Sequence, residues 1–429
     1  MPVYTILRDI RSPGTAGPFE SLPGARAARP AELPSEPRID RERLEKRELQ
    51  ALVRDPQVLA VAPVMPTRLV QPFEVDAADA STDAWGIGAV GADTSPCTGA
   101  GVIVSVLDTG IDASHPAFAG VTLVQEDFSG SGNGDIQGHG THCAGTIFGR
   151  DVDGTRIGVA RGVERALIGK VLGDDGSGNS DMLFRGIQWA VQNNANVISM
   201  SLGFDFPGLV DSLIKEGWPA DLATSAALEA YRANLRMFDA LMDLIRNAEA
   251  FGTRTLVVAA AGNESHRDVD PKYEIAVSLP AAAEGVVSVG AIAQTGDGYR
   301  IADFSNTLPQ VSAPGVDILS AQAGGGLRSL SGTSMATPHV AGVTALWWEE
   351  VLASPLPPQT AAVTARLFAH ATTSGFAADV DIADRGLGLV QSPTTISPGP
   401  SEPSGPEIAV ALQRQPKATM GQATRTASN

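Results

Sequence analysis

The residue types able to carry out nucleophilic chemistry are few, and they fall in short clusters. Ser334 stands in Ser331-Gly332-Thr333-Ser334-Met335-Ala336-Thr337-Pro338-His339, ahead of an apolar stretch through Val340, Val343 and Leu346 to Trp347. That pattern predicts a helix with Ser334 at its N-terminus. Early helical N–H groups have no partner within the helix. This tolerates Pro338 and aims the Ser334 N–H at whatever the hydroxyl attacks, where the helix dipole favours negative charge. Gly332 is expected to form a tight turn that presents the hydroxyl. By itself, Gly-Thr-Ser would read as a plain helix cap.

A serine nucleophile needs a base, and the chain offers only six histidines: His115, His139, His142, His266, His339 and His370. Two of them stand in Gly138-His139-Gly140-Thr141-His142-Cys143-Ala144-Gly145. The glycines around His139 are expected to leave its imidazole exposed at a helix start, with His142 projecting from nearly the same face. Paired histidines also suggest a metal site, but no Glu lies between them and no third ligand is evident. Asp108 ends the apolar run 102–107 within Asp108-Thr109-Gly110. A carboxylate there could hold the neutral histidine tautomer and stabilise the imidazolium formed during attack. Asn263 ends another run, 256–261, and could donate its amide to an oxyanion beside the Ser334 N–H. Each feature alone has an ordinary reading as a turn or cap. Together, each at a strand end or helix start and in the order Asp, His, Asn, Ser, they point to acyl transfer.

These groups need a frame to hold them. Apolar runs at 102–107, 197–202, 256–261 and 286–292 are continuous rather than alternating. Helical segments separate them. This predicts a three-layer α/β/α domain with a mainly parallel sheet buried on both faces, spanning about 81–395. In such sheets function gathers at the carboxyl ends of the strands. Residues 1–80 read differently: a strand at 3–10, a Pro/Gly/Ala-rich stretch to Pro37, a charged helix from about Ile39 to Val53, a strand at 58–64 and an acidic linker at 76–83. They predict a small α+β prosegment. Residues 396–429 are rich in Pro, Ser, Thr, Gly and Gln and read as a disordered tail.

Three motifs carry a family resemblance. Asp-Thr-Gly-Ile-Asp at 108–112, His-Gly-Thr-His-Cys-Ala-Gly at 139–145 and Gly-Thr-Ser-Met-Ala-Thr-Pro-His-Val-Ala-Gly at 332–342 resemble the signatures of the subtilases. The resemblance covers roughly residues 85–391. It implies that Ser334 is the nucleophile, His139 the general base and acid, Asp108 the orienting carboxylate and Asn263 the side-chain oxyanion donor. It makes His142 a neighbouring structural histidine. Gly176-Ser177-Gly178 resembles the edge segment that pairs with a substrate backbone, and Ser201-Leu202-Gly203 the opposite wall. A substrate held as an added strand would gain affinity from main-chain hydrogen bonds and selectivity from alternate pockets.

The sequence departs from the family pattern in four places. Ala117 stands where many members carry a calcium-binding Asp, and the loop after His139 is short, reading Arg150-Asp151-Val152-Asp153-Gly154. No cofactor is expected to be required. Calcium is possible, but its usual ligand pattern is unmatched, and Asp151 and Asp153 read foremost as a solvated turn. The span between Gly203 and Val257 is roughly twice the plainest members' length. Its extra part, about 209–251, reads as helical, with Leu228, Tyr231, Leu235, Phe238, Met242 and Ile245 at helical spacing. It is expected to pack on its own domain, with a docking surface for a partner or regulator as the alternative. Cys143, just after His139, is expected to be a small buried residue that mercurials could reach. Residues 1–80 are shorter than a typical inhibitory pro-domain but keep the strand, helix, strand order. They are expected to be the chain's own inhibitor, cleaved off between about Val70 and Ala84.

Bulk properties narrow the classes. Of the formal charge of −17, residues 1–75 carry 11 basic and 10 acidic side chains, a net of +1, so the remainder carries −18. Such a surface repels nucleic acid. No apolar run reaches 18 residues, so no membrane partner is expected. The N-terminus lacks a basic start followed by an apolar stretch, and two cysteines cannot build a disulfide framework. Both favour a cytoplasmic setting, with export by another route left open. The expected partners are polypeptide substrates and the prosegment. The first pocket, lined by Leu202 and glycines, suggests cleavage after apolar residues, with Glu264 near its floor as a possible basic-residue selector. Two other classes stay in view: a peptide ligase or macrocyclase with the same triad, and a non-catalytic peptide-binding scaffold.

Overall fold

The computed structural model describes residues 2–9, 37–74, 83–355 and 357–396. The Pro/Gly/Ala-rich stretch, most of the acidic linker and nearly all of the tail named above lie outside the described residues. The described chain opens with β1 (Val3–Asp9), β2 (Pro37–Arg43), α1 (Lys46–Leu52) and β3 (Val58–Pro63). These form a small antiparallel sheet in the order β2-β1-β3. Here the structure corrects the sequence reading. Residues 39–43, expected in the charged helix, are strand: Ile39 sits opposite Leu7 and Asp40 opposite Ile6. The side chain of Arg8 bonds Asp40 at 3.2 Å and Asp55 at 3.0 Å. The density of charge hid the strand, and the true helix starts after Glu45, whose N–H is capped by the Glu48 carboxylate. The helix α1 buries no side chain, and Val53 after it is exposed.

Two short strands follow, β4 (Pro66–Leu69) and β5 (Phe73–Glu74), and then α2 (Trp85–Ala89). The main sheet is built from β6 (Ile103–Asp108), β7 (Thr122–Asp127) and β8 (Arg165–Lys170), and, after β9 (Ser177–Asn179), from β10 (Val197–Met200). Beyond β11 (Leu202–Phe204) it adds β12 (Leu256–Ala260), β13 (Val286–Thr295), β14 (Gly298–Ile301) and β15 (Val311–Pro314). Its order is β14-β13-β12-β10-β6-β8-β7, with β15 also beside β13. Every pairing is parallel except β13 with β14.

The continuous apolar runs are explained by two cores. Along β6, Val104 and Val106 face one and Leu107 the other; along β12, Val258 faces the first and Val257 the second. The first face is covered by α3 (His139–Phe148) and α7 (Thr333–Ala353), the second by α4 (Ser180–Gln192) and α6 (Ala220–Ala248). The domain is therefore three-layered, as predicted, with α8 (Thr360–Ala369) and the hairpin of β16 (Ile318–Ala321) and β17 (Leu327–Ser331) at its margin.

The segment expected as a helical insertion forms α5 (Phe206–Lys215) and α6. Its buried face includes Ala227, Ala230, Asn234, Phe238, Leu241 and Ile245, while Leu228 points to solvent. The small N-terminal sheet rests on this side of the domain. Asn234 Nδ2 donates to Pro63 O at 3.0 Å, and Ile39 N donates to Gln188 Oε1 of α4 at 3.2 Å. Leu7, Ile39 and Ala62 join the second core. No helix among the described residues is long and apolar enough to cross a membrane.

Candidate active site

Asp108 is the last residue of β6 and is buried. Its Oδ1 accepts from the Thr109 N–H and from His139 Nδ1, both at 2.8 Å. A carboxylate can only accept there, so Nδ1 carries the proton and Nε2 is left free to take one. His139 is the first residue of α3, after Gly138 in the left-handed region at φ 85°. Gly140 lets this turn approach the Asp108 strand, since a Cβ there would sit 2.2 Å from Gly110 O. The imidazole expected to be exposed is fully buried, because the chain's own residues cover the cleft. Burial alone would lower the His139 pKa. The Asp108 charge and hydrogen bond outweigh it and hold the imidazole well above its ordinary value.

Ser334 is the second residue of α7, where a backbone N–H has no intrahelical partner. Two sequence expectations need correcting here. Gly332 is extended, at φ 161° and ψ 161°, so it forms no left-handed turn. It is needed for space: a Cβ there would lie 3.0 Å from Asn263 Nδ2. Pro338 lies too deep for an orphan N–H, at the sixth helical position. Its missing donor leaves the Ser334 carbonyl free, and Ser201 Oγ at 3.0 Å and Cys143 Sγ at 3.5 Å take that carbonyl instead.

The Ser334 hydroxyl makes no hydrogen bond to His139. It donates to Val70 O at 2.9 Å, with Ser201 O 3.3 Å away. His139 Nε2 is buried without a hydrogen-bond partner. The cleft holds β4, which lies antiparallel between β9 and β11. Thr67 is opposite Gly178 and Arg68 opposite Ser177 on one side; Arg68 is opposite Gly203 and Leu69 opposite Leu202 on the other. Leu69 N donates to Gly176 O at 3.0 Å. The two wall segments named from sequence therefore do flank an extended strand. The space beside Gly203 is filled by Val70 Cγ2, with Ser278 Oγ and Leu279 O around it. Glu264 is engaged elsewhere, its Oε2 accepting from Asn306 Nδ2 at 2.7 Å.

Asn263 Nδ2 donates to Gln71 O at 2.9 Å, the carbonyl after Val70. Its Oδ1 accepts from Thr333 N at 2.9 Å and Thr333 Oγ1 at 2.8 Å, which orients the amide toward the cleft. Thr333 was not singled out in the sequence. Neither was Asp135, which is buried. Its Oδ1 accepts from Thr109 Oγ1 and the Gly138 N–H, both at 2.8 Å. Its Oδ2 accepts from the Thr141 N–H at 2.8 Å and Thr141 Oγ1 at 2.6 Å. One carboxylate thus ties the Asp108 turn to the start of α3. The only sequence signal was an Asp four residues before His139 in a Gly-rich loop.

His142 bridges the margin hairpin, its Nε2 lying 3.0 Å from Ile318 O and 3.1 Å from Arg328 O. Burial pushes its pKa down to about 3, so it stays neutral. Cys143 Sγ lies 3.8 Å from His139 Nδ1, and burial raises its pKa and keeps it a thiol. Asp108, His139 and Cys143 are the one acidic or thiol cluster among the described residues with ligand atoms within 4.8 Å of one another. A thiophilic cation bound there would take the atoms that hold the imidazole. Asp151 faces Arg161 at 3.5 Å.

Residues 99–388 match the model of the subtilase family. Among similar proteins, an intracellular serine protease of Paenibacillus polymyxa is 36% identical over 258 residues, covering 58% of this chain and 67% of that protein. A thermostable alkaline protease of Halalkalibacterium halodurans is 34% identical over 311 residues, covering 71% of this chain and 70% of the other. The major intracellular serine protease of Bacillus subtilis is 34% identical over 256 residues, covering 58% and 68%.

Proposed function

The chain belongs to the subtilase family and is a serine endopeptidase, and from that premise we propose that Ser334 is its nucleophile, His139 its general base and acid, Asp108 the orienting carboxylate and Asn263 an oxyanion donor. Peptide-bond hydrolysis would run through an acyl-enzyme. His139 Nε2 takes the Ser334 proton as Oγ attacks the carbonyl carbon, then gives it to the leaving amine. Asn263 Nδ2 and the Ser334 N–H hold the tetrahedral oxyanion. Water then attacks the acyl-enzyme with His139 again as base. The support is the 2.8 Å bond between Asp108 and His139, together with Ser334 and Asn263 both bonding one extended strand.

We also propose that residues 1–80 are a self-inhibiting prosegment, that 81–395 form the catalytic domain and that 396–429 form a tail. The observation that carries this reading is the hydrogen bond from Ser334 Oγ to Val70 O at 2.9 Å. With the hydroxyl bonded there and His139 Nε2 without a partner, the proton relay is unassembled. The strand is also out of step with the oxyanion donor, because Asn263 holds Gln71 O rather than Val70 O. The residue after Gln71 is Pro72, which has no N–H to bond the cleft wall. Both features favour a bound but uncut segment. Release would follow cleavage between about Val70 and Ala84; residues 75–82 of that span lie outside the described residues. A fluorophosphonate probe with intact-mass readout tests the whole reading. The expected result is one adduct on Ser334 once residues 1–80 are removed, none on the full-length chain, and none in His139→Ala. Full-length protein that is labelled and hydrolyses substrate without processing would sink the zymogen reading.

For location the reading is cytoplasmic. Two similar proteins are named as intracellular, and Cys97 and Cys143 are both buried and unpaired. Recovery of the protein outside fractionated cells would overturn it.

A further inference from the structure

We infer that Asp205 is a specificity-determining residue that selects a basic side chain two positions before the residue whose carbonyl meets Ser334. The inference rests on the reading that Thr67–Val70 lie as a substrate would, the strand falling out of step with the oxyanion donor only at Gln71. Backbone bonds to β9 and β11 take any sequence, so selectivity falls to side chains. Along β4 these alternate, with Thr67 and Leu69 buried and Arg68 on the open rim. The residues paired with Arg68, Gly203 and Ser177, carry no charge. Asp205 supplies one: its Oδ1 lies 3.3 Å from Arg68 Nη1.

Asp205 is built for this task in three ways. Its N–H donates to Pro66 O at 2.9 Å, so the residue that faces Arg68 also fixes the strand's register. Its carboxylate caps α5, accepting from the Gly208 N–H at 3.0 Å, which holds it in place before any strand arrives. Gly208 makes room for it, since a Cβ there would lie 2.0 Å from Asp205 Oδ2. Glu264, the acidic residue that the sequence suggested for basic selection, is instead bonded to Asn306. The side chain in the first pocket is an apolar valine. Basic recognition thus moves from the pocket to the rim, and the substrate class becomes extended segments of the form basic–apolar–small apolar.

The test uses the full chain and two peptides in one tube, Pro-Thr-Arg-Leu-Val-Ser-Ala and the same peptide with Ala for Arg, both dilute. Their relative rates of consumption give the ratio of kcat/KM, whatever fraction of the enzyme has an open cleft. The arginine peptide is expected to be consumed about two- to fivefold faster at low salt. Asp205→Asn should bring the ratio to about one. Asn caps a helix as well as Asp does, so α5 is kept. A ratio unmoved by Asp205→Asn would overturn the proposal. Consumption of neither peptide would mean that residues 1–80 keep the cleft closed in the full chain, as the zymogen reading expects, and would leave the role of Asp205 to binding. Anisotropy titration of the labelled peptides against Ser334→Ala protein then decides: an arginine preference lost in Ser334→Ala/Asp205→Asn upholds the role of Asp205, and no preference refutes it.

Discussion

At the scale of single residues, the chemistry turns on the protonation of one imidazole. In the proposed mechanism His139 must be neutral to accept the Ser334 proton. Against burial, the Asp108 charge raises its pKa well above the ordinary value, so activity should fall with decreasing pH from above about 6.5. Asp108→Asn removes that pull. Its acid limb should move to lower pH, and kcat should drop about 10⁴-fold because the tautomer is no longer fixed; a pH series of kcat/KM on both proteins checks this. The same shift has a stability consequence of opposite sense. A raised folded pKa stabilises fully below the unfolded value of about 6.5. That contribution is lost as pH rises through the folded value, so urea midpoints of Ser334→Ala should decline on the alkaline side. A second prediction concerns Gly332. A Cβ 3.0 Å from Asn263 Nδ2 displaces the amide. Gly332→Ala should therefore lower kcat toward the 10²–10³-fold of a lost oxyanion donor, with KM little changed, in steady-state kinetics. The reason for this glycine was not legible in the sequence, where it reads as a turn. Asp108, His139, Asn263 and Ser334 were legible because each sits in a short motif with its own neighbours. Asp135 and Thr333 were not, because each serves through a partner supplied by tertiary folding.

At the scale of elements, α7 shows how a rule read locally can be turned to another use. Pro338 breaks the rule for a helix interior, yet the carbonyl it frees anchors Ser334 to Ser201 and Cys143. Ser201→Ala would leave the buried Ser334 carbonyl with only a weak thiol donor. The expected loss is about 1–3 kcal/mol of stability, read by urea unfolding, and the Ser201→Thr variant should recover part of it by restoring a hydroxyl. The strands of the main sheet were legible because both faces are buried, so apolar runs need no period. The N-terminal elements were not. In β2 only Ile39 faces a core while Arg41 and Glu42 face solvent, and such a strand looks like a charged helix until its partner β1 is known. In α6 the spacing and most of the face were right: Phe238, Met242 and Ile245 are buried and Tyr231 and Leu235 pack against the same core, so that Leu228 alone of the six misses it. Small residues, Ala227 and Ala230, are buried where the helix passes close to its neighbours, and the larger Leu228 is left outside.

At the scale of the whole molecule, charge and apolar burial both act on the docking of the N-terminal segment, and they respond to salt in opposite directions. Residues 1–75 carry a net +1 and the rest −18. Among the described residues two ion pairs cross the boundary, Arg41 with Asp181 at 3.5 Å and Arg68 with Asp205 at 3.3 Å. The apolar contribution comes from Leu7, Ile39, Ala62, Met65 and Leu69, all buried in the second core. Raising salt shortens the screening length from about 8 Å at physiological ionic strength to about 3 Å at 1 M, which weakens the pairs, while chloride leaves apolar burial nearly as it was. Each rim pair contributes about 0.2–1 kcal/mol. If release of the segment limits activation, the rate at which full-length protein becomes reactive to a fluorophosphonate should rise about two- to tenfold between low salt and 1 M sodium chloride. Arg41→Ala should reproduce part of that gain at low salt and blunt the response to added salt. Replacing the chloride by sulfate, which strengthens apolar burial, should slow release again at equal ionic strength. A rate independent of chloride in wild type and in Arg41→Ala would mean that the apolar core alone sets the latency. The excess negative charge of the catalytic part would then play no role in holding the segment proposed as its inhibitor.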